Sequence, residues 1–331
     1  MSDDSKRLND LTTWQDRSIA IRANSLVNRG LEDISRLGAT RIDELLQRAR
    51  KFYDDFFRIC SKDAYDQAML AYEELIRVCS EVLRLSPARA DAYCARGEAY
   101  CARGGPHSVA DDFDRAIADC NEAIRLNPKY AEAYLTRGGA YCNKGDYEKE
   151  IADYTEAIRL KPDYAEAYIE RASSHDSMGE HRKAIADYTE AVRIAPDRVE
   201  AYQGRALAHE AAGYYQAAAA DWTEVIKFDP YACHSRGNAY ANAGEYEKAI
   251  GDYTKAIALT PNSAVLFASR GRAYAAKGDW DRAIADYTEA IRLDPKLATA
   301  YQDRSAAYES KARDDLARAK KLAQTVPRSQ R

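Results

Sequence analysis

The sequence lacks the features that mark membrane, secreted and nucleic-acid-binding proteins. No apolar run is long enough to cross a bilayer and no signal peptide is evident, so we expect a cytoplasmic protein without membrane contact. The seven cysteines are an odd number without a CxxC pair, which argues against a disulfide framework or zinc site. The net charge is only −4 although 31% of the residues are charged, which favours neither a nucleic-acid surface nor a polybasic anchor.

Motifs of catalysis are missing too. The sequence contains no Walker-type loop, GxSxG elbow, HExxH pair or GxGxxG turn. We therefore predict that the protein is not an enzyme and that it needs no cofactor and no metal.

What the chain has in abundance is self-similarity. Residues 131–164, AEAYLTRGGAYCNKGDYEKEIADYTEAIRLKPDY, are followed at the same spacing by residues 165–198, AEAYIERASSHDSMGEHRKAIADYTEAVRIAPDR. A fixed period of 34 residues is typical of repeat architectures, because so short a unit cannot bury its apolar face alone and must stack on its neighbours.

Each unit predicts a helical hairpin. Tyr134, Gly138 and Tyr141 recur at i, i+4 and i+7, on one face of a helix that ends near Gly145. A second apolar stripe runs over residues 147–160 and stops before a proline.

These residues resemble the tetratricopeptide repeat motif. Counted from the start of the unit at residue 131, the matching residues are Tyr134 at position 4, Gly138 at 8, Tyr141 at 11, Tyr154 at 24, Ala157 at 27 and Pro162 at 32. The resemblance implies an all-α, right-handed superhelical solenoid of stacked helical hairpins. It also implies a non-enzymatic scaffold that binds a peptide or helix of a protein partner in a concave groove. Glu150 departs from the motif, since the other repeats have alanine at position 20.

The repeats divide the chain into four regions. We expect an N-terminal helical region with a disordered start at 1–62, a degenerate repeat at 63–89, six repeats at 90–297, and a seventh first helix, capping helix and tail at 298–331. The six repeats are 90–130, 131–164, 165–198, 199–230, 231–263 and 264–297. The first repeat has a long turn at 101–113, which is either a binding element or a tolerated insertion.

An arginine at position 7 of each repeat accompanies an aspartate at position 23. The pairs are Arg96 and Asp119, Arg137 and Asp153, Arg171 and Asp187, Arg205 and Asp221, Arg236 and Asp252, and Arg270 and Asp286. Recurrence in step predicts a ladder of partly buried ion pairs, although such arginines could instead bind an anionic ligand.

In the family the groove is lined by positions 2, 5, 6, 9, 12 and 13 of the first helices. Here these positions supply Asp91, Glu98, Glu132, Glu166, Glu170, Asp176, Glu200, Glu210, Asn238 and Arg272. The acidic set predicts a basic or amphipathic partner, and the alternative is that the carboxylates only solubilise a helix face. Some members of the family bind the C-terminal tails of chaperones through lysine and asparagine side chains on consecutive repeats, the carboxylate clamp. No run of repeats in this chain carries those residues, so we expect no chaperone tail as a partner.

Two further interpretations stay open. His175 and His209 replace the tyrosine of position 11 in adjacent repeats, either as packed imidazoles or as a metal site or pH switch. The segment ISRLGATRIDELL at 34–46 is similar to a helix-hairpin-helix module, in which Gly38 and Arg41 would contact phosphate. The net charge of −4 nevertheless argues against nucleic acid as a partner.

Overall fold

A computed structural model describes residues 62–103 and 111–325. Those residues contain fourteen α-helices, one short 3₁₀-helix and no strand. The predictions made for residues 1–61, including the segment with Gly38 and Arg41, lie outside the described residues. So do those for residues 104–110 of the long turn and for the tail at 326–331.

The helices fall into two compact units, divided between Pro162 and Asp163. The first contains α1 (Lys62–Leu85), α2 (Ala90–Arg103), α3 (Asp111–Leu126), α4 (Ala131–Lys144) and α5 (Tyr147–Leu160). Helices α2 and α3 form one hairpin and α4 and α5 the next, while α1 packs on α2. The first helices of the two hairpins, α2 and α4, also contact each other.

The second unit has four hairpins and a final helix. Its elements are α6 (Ala165–Ser177), α7 (His181–Ile194), α8 (Val199–Ala211), α9 (Tyr215–Ile226), a 3₁₀-helix (Pro230–Ala232), α10 (Cys233–Asn242), α11 (Tyr246–Leu259), α12 (Ala264–Ala276), α13 (Trp280–Leu293) and α14 (Ala298–Thr325). The pairs α6 with α8, α10 with α12 and α12 with α14 place first helices side by side. The predicted all-α architecture of stacked helical hairpins is confirmed within each unit.

Local sequence explains the hairpin turns. Gly145 ends α4 in the left-handed conformation at φ 74°, where its N–H donates to the carbonyl of Cys142. The side chain of Asp146 then accepts a bond from the backbone N–H of Lys149 and begins α5. A glycine without a Cβ and an acidic N-cap therefore reverse the chain within two residues.

The core of a hairpin packs a small residue of the first helix against a larger side chain of the second, which is Cys120 in the first hairpin and an aromatic ring in the second. Tyr154 is 1% exposed and lies so close to Gly138 that an added Cβ would be 2.5 Å from its Cε1 atom. Glu150, which replaces the usual alanine in this repeat, is also buried, at 1% exposure. The two helices approach this closely because position 8 carries no side chain.

The junction before α10 differs from the others. The chain is shorter there, and Pro230–Ala232 forms a 3₁₀-helix in place of the first helical turn. Asp229 caps it by accepting a bond from the N–H of Tyr231 at 2.9 Å. As a result α10 has only ten residues.

Candidate partner-binding site

The structure brings together all six Arg and Asp pairs. In each, Nε and Nη2 of the arginine donate to the two oxygens of a buried carboxylate. The shortest contacts are Arg96–Asp119 2.7 Å, Arg137–Asp153 2.6 Å, Arg171–Asp187 2.7 Å, Arg205–Asp221 2.7 Å, Arg236–Asp252 2.7 Å and Arg270–Asp286 2.8 Å.

At least five of these arginines also bond to the second helix that precedes them. For Arg96 that helix is α1. In each case Nη1 is the donor, and the bonds are Arg96 to Ser80 (3.1 Å), Arg137 to Asn121 (2.6 Å), Arg205 to Thr189 (3.3 Å), Arg236 to Thr223 (3.1 Å) and Arg270 to Thr254 (3.1 Å). Each of these five guanidinium groups thus joins two second helices, and all three of its nitrogens donate a hydrogen bond. This arrangement favours the ladder as a device that fixes neighbouring hairpins over one that binds an anionic ligand.

The two position-11 histidines are packed beside carboxylates. His175 Nδ1 lies 2.7 Å from Glu180 Oε2, and His209 Nδ1 lies 3.0 Å from Asp221 Oδ2. Burial raises the pKa of Asp221, but the hydrogen bonds from His209 and Arg205 outweigh it and hold the pKa below its usual value. Within the described residues, no group of three His, Cys, Asp or Glu side chains is placed to hold a metal ion.

In the first unit, the predicted groove carboxylates have cationic neighbours. Arg89 Nε donates to Asp91 at 2.7 Å, and Lys161 Nζ donates to Glu132 at 3.3 Å. Glu98 is half-buried on α2. The acidic character of this face is therefore partly neutralised by cations from the turns between hairpins.

In the second unit, the carboxylates near the helix starts are more open. Glu166, Glu170 and Glu200 are exposed on α6 and α8, and the nearest cation to Glu166 is Arg198 at 4.0 Å. Toward the helix ends the acids have partners, since Asp176 lies 2.7 Å from His181 Nδ1. A band of exposed negative charge therefore crosses the first turns of two adjacent first helices.

A cleft opens between α8, α10, α11 and α12. Its volume is about 460 Å³. Three predicted residues line it, one from each of three first helices: Glu210, Asn238 and Arg272. The groove pattern of the first helices also gives Asn242, which lines the cleft as well. The pattern did not identify the other polar residues of the wall, which are Tyr246, Tyr253 and Ser269.

Hydrogen bonds orient the polar groups of the cleft. Trp222 Nε1 donates to Glu210 Oε1 at 2.6 Å, and Tyr253 Oη donates to Asn238 Oδ1 at 2.9 Å. The Asn238 amide therefore keeps its NH₂ group as donor. The guanidinium of Arg272, on an exposed residue, makes one long bond to Ser269 at 3.4 Å.

Arg272 gives the α12 side of the cleft positive character. Burial first, and then repulsion by Arg272, lower the pKa of His234 below its ordinary value. Burial also raises the pKa of Tyr253 to about 12, so its hydroxyl stays protonated. The cleft is thus acidic at Glu210, neutral at Asn238 and basic at Arg272.

Comparison with known proteins agrees with the fold. Tetratricopeptide repeat models match residues 109–165, 169–232 and 230–263, and a further TPR repeat model matches 271–311. The chain belongs to the tetratricopeptide repeat family. No curated protein matches it in sequence.

The chain is also similar to solved structures. YrrB, described as a TPR protein with an unusual peptide-binding site, is 18% identical over 56% of this chain and 97% of its own, with a TM-score of 0.52. A MamA structure is 27% identical over 50% of this chain and 94% of its own, with a TM-score of 0.42. A tetratricopeptide repeat protein from Parabacteroides merdae ATCC 43184 is 17% identical over 82% of this chain and 100% of its own, with a TM-score of 0.45.

Among the described helices, none is both long and apolar enough to cross a membrane. The length of α14 does not alter this, because charged side chains occur along the whole helix.

Proposed function

We propose that the protein is a non-enzymatic interaction scaffold that binds an extended peptide segment of a protein partner on the first helices of its second unit. The observation that carries the proposal is the cleft at Glu210, Asn238 and Arg272, where three successive first helices direct polar groups into one open space. Concave sites with a few convergent polar groups are the usual places where proteins bind ligands.

The chemistry of the cleft favours a peptide with its own charge gradient. Asn238 offers an amide donor to a peptide carbonyl, and Arg272 offers a fork of N–H donors to a carboxylate. Glu166 and Glu200, on the neighbouring helices, favour basic residues. We therefore expect a segment that is basic where it crosses α6 and α8 and acidic where it reaches α12.

Two observations support a binding role for these residues over a purely solubilising one. Arg272 and Asn238 differ from the ladder residues, because Arg272 has no ion-pair partner among the described residues and Asn238 keeps its NH₂ donors. YrrB, a structural neighbour, is described as having a peptide-binding site. Long-range attraction to the acidic band would speed association and would weaken with salt.

A displayed random peptide library, selected on the immobilised full chain, tests the proposal. Selected peptides should bind Arg272→Glu and Asn238→Ala chains at least about tenfold more weakly, as expected for loss of a charged or a buried polar contact. The matched controls Arg182→Glu and Asn262→Ala change exposed residues of the same unit outside the cleft and should bind normally. Peptides that bind all four variants alike would show that the cleft is not the site.

The alternative of nucleic-acid contact stays a prediction. It depends on residues 34–46, outside the described residues, and its signature would be duplex-DNA binding that falls steeply with salt.

A further inference from the structure

Helix α14 is a first helix whose second helix is missing from the described residues. Like α2, α4 and α12, it carries an aromatic residue, an arginine, a small residue and a second aromatic residue at positions 4, 7, 8 and 11. In α14 these are Tyr301, Arg304, Ser305 and Tyr308, here named the α14 face. The helix continues without a turn to Thr325.

Exposure shows that nothing described covers the α14 face. The position-8 residue is buried in the six complete hairpins, as at Gly271, but Ser305 is exposed. Tyr301 and Tyr308 are 43% and 55% exposed. In the hairpins, the same positions are covered by the second helix.

The side chain of Arg304 makes the same ring contact and the same Nη1 hydrogen bond as the arginines of the ladder. Its guanidinium lies 5.6 Å from the centre of the Tyr301 ring, and Nη1 donates to Thr288 at 3.3 Å. In the hairpins Nε and Nη2 hold an aspartate, whereas the described residues place no carboxylate within ion-pairing distance of these atoms of Arg304. Two charged donors of Arg304 are therefore without an acceptor among the described residues.

We propose that the α14 face docks an amphipathic helix of a partner protein, which supplies an aspartate to Nε and Nη2 of Arg304. The hairpin of α12 and α13 shows the required pattern. There Asp286 pairs with Arg270, while Ala283 and Tyr287 of the second helix close over Gly271. The partner helix would thus carry an alanine three residues before its aspartate and an aromatic residue directly after it.

A second copy of this chain fits the face less well. Its helix α1 acts as a second helix, since Ser80 accepts a bond from Arg96 as Thr288 does from Arg304. The residue two places before Thr288 is Asp286, but the residue two places before Ser80 is Val78. Valine would leave the donors of Arg304 buried without an acceptor, which is costly.

The test uses the full chain and a peptide copy of α13, WDRAIADYTEAIRL, labelled for fluorescence anisotropy. A staple between positions 281 and 285, both exposed in α13, keeps the peptide helical. We expect saturable binding that weakens about tenfold or more when the peptide carries Asp286→Asn or the chain carries Arg304→Gln. Both changes together should cost little more than either alone.

Controls locate the contact. Ser305→Trp places a large side chain where the hairpins keep glycine or alanine, and should abolish binding without altering the helical circular dichroism. Arg318→Gln, an exposed arginine elsewhere on the same helix, should have no effect. Absence of binding, or equal binding to the Arg304→Gln chain, would overturn the proposal. A chain dimer in sedimentation velocity that Ser305→Trp dissociates would overturn it in favour of a second copy.

Discussion

Replacing Arg137 by alanine should destabilise the first unit strongly. The guanidinium makes bonds of 2.8 and 2.6 Å to the two oxygens of Asp153 and one of 2.6 Å to Asn121, and lies 5.5 Å from the centre of the Tyr134 ring. The side chains of the pair are 18% and 8% exposed. Removing one partner of such a pair leaves a buried carboxylate, and the expected loss in the free energy of unfolding is about 3 to 5 kcal/mol.

A double-mutant cycle separates the pair from its surroundings. Asp153→Ala alone should also destabilise, and the double variant should be less damaged than the sum of the single losses by about 2 kcal/mol. Urea unfolding followed by circular dichroism gives the free energies. Hydrogen exchange over residues 131–160 shows whether the loss is local, which matters because repeat proteins unfold in parts.

The chain offers a matched control for this cycle. Arg159 and Glu156 form a bidentate pair of the same chemistry, with bonds of 2.7 and 2.6 Å, on the exposed side of α5. Solvent screens such pairs, so Arg159→Ala should cost far less than Arg137→Ala. Equal losses at the two sites, or additive effects of Arg137→Ala and Asp153→Ala, would refute the reasoning.

Two further predictions concern single side chains. Gly138→Ala should destabilise the protein by about 1 to 3 kcal/mol, because the added Cβ would lie 2.5 Å from the Tyr154 ring. In the control Gly139→Ala, the added Cβ would meet only the Tyr154 hydroxyl, at 4.0 Å, so this change should be neutral or stabilising. Thermal melts compare the two variants. Because burial and Arg272 lower the pKa of His234, its contribution to stability is present above the unfolded pKa of about 6.5 and is lost as the pH falls below it. Arg272→Gln should raise that pKa in an NMR titration, and an unchanged value would contradict the assigned repulsion.

Sequence reasoning succeeded where the repeat fixes the answer. Gly145 and Pro162 mark the ends of the two helices of one hairpin, because a left-handed turn and a helix-breaking ring have local requirements. The matched positions of Arg137 and Asp153 within the repeat indicated their pairing for the same reason. These positions recur in the repeats, so the structure of one hairpin predicts that of the next.

Sequence reasoning predicted less where a contact is made by a turn or a second helix, because those contacts do not recur at fixed positions of the repeat. The bond from Trp222 to Glu210 and the cation beside Glu132 come from second helices and turns that have no fixed place in the groove pattern. The pattern therefore predicted a more uniform acidic face than the described residues form. The seventh first helix and the capping helix that were predicted at 298–331 are one helix, α14, and among the described residues none covers its first-helix face.

Site-directed photo-crosslinking tests most directly the claim that first helices of the second unit bind the partner. A photoreactive phenylalanine analogue at Asn242, an exposed wall of the cleft, should crosslink to a library-selected peptide, and excess unlabelled peptide should suppress the reaction. The same analogue at Lys255, exposed on the second helix α11, should give no crosslink. Crosslinking from position 255 but not from 242 would contradict the account.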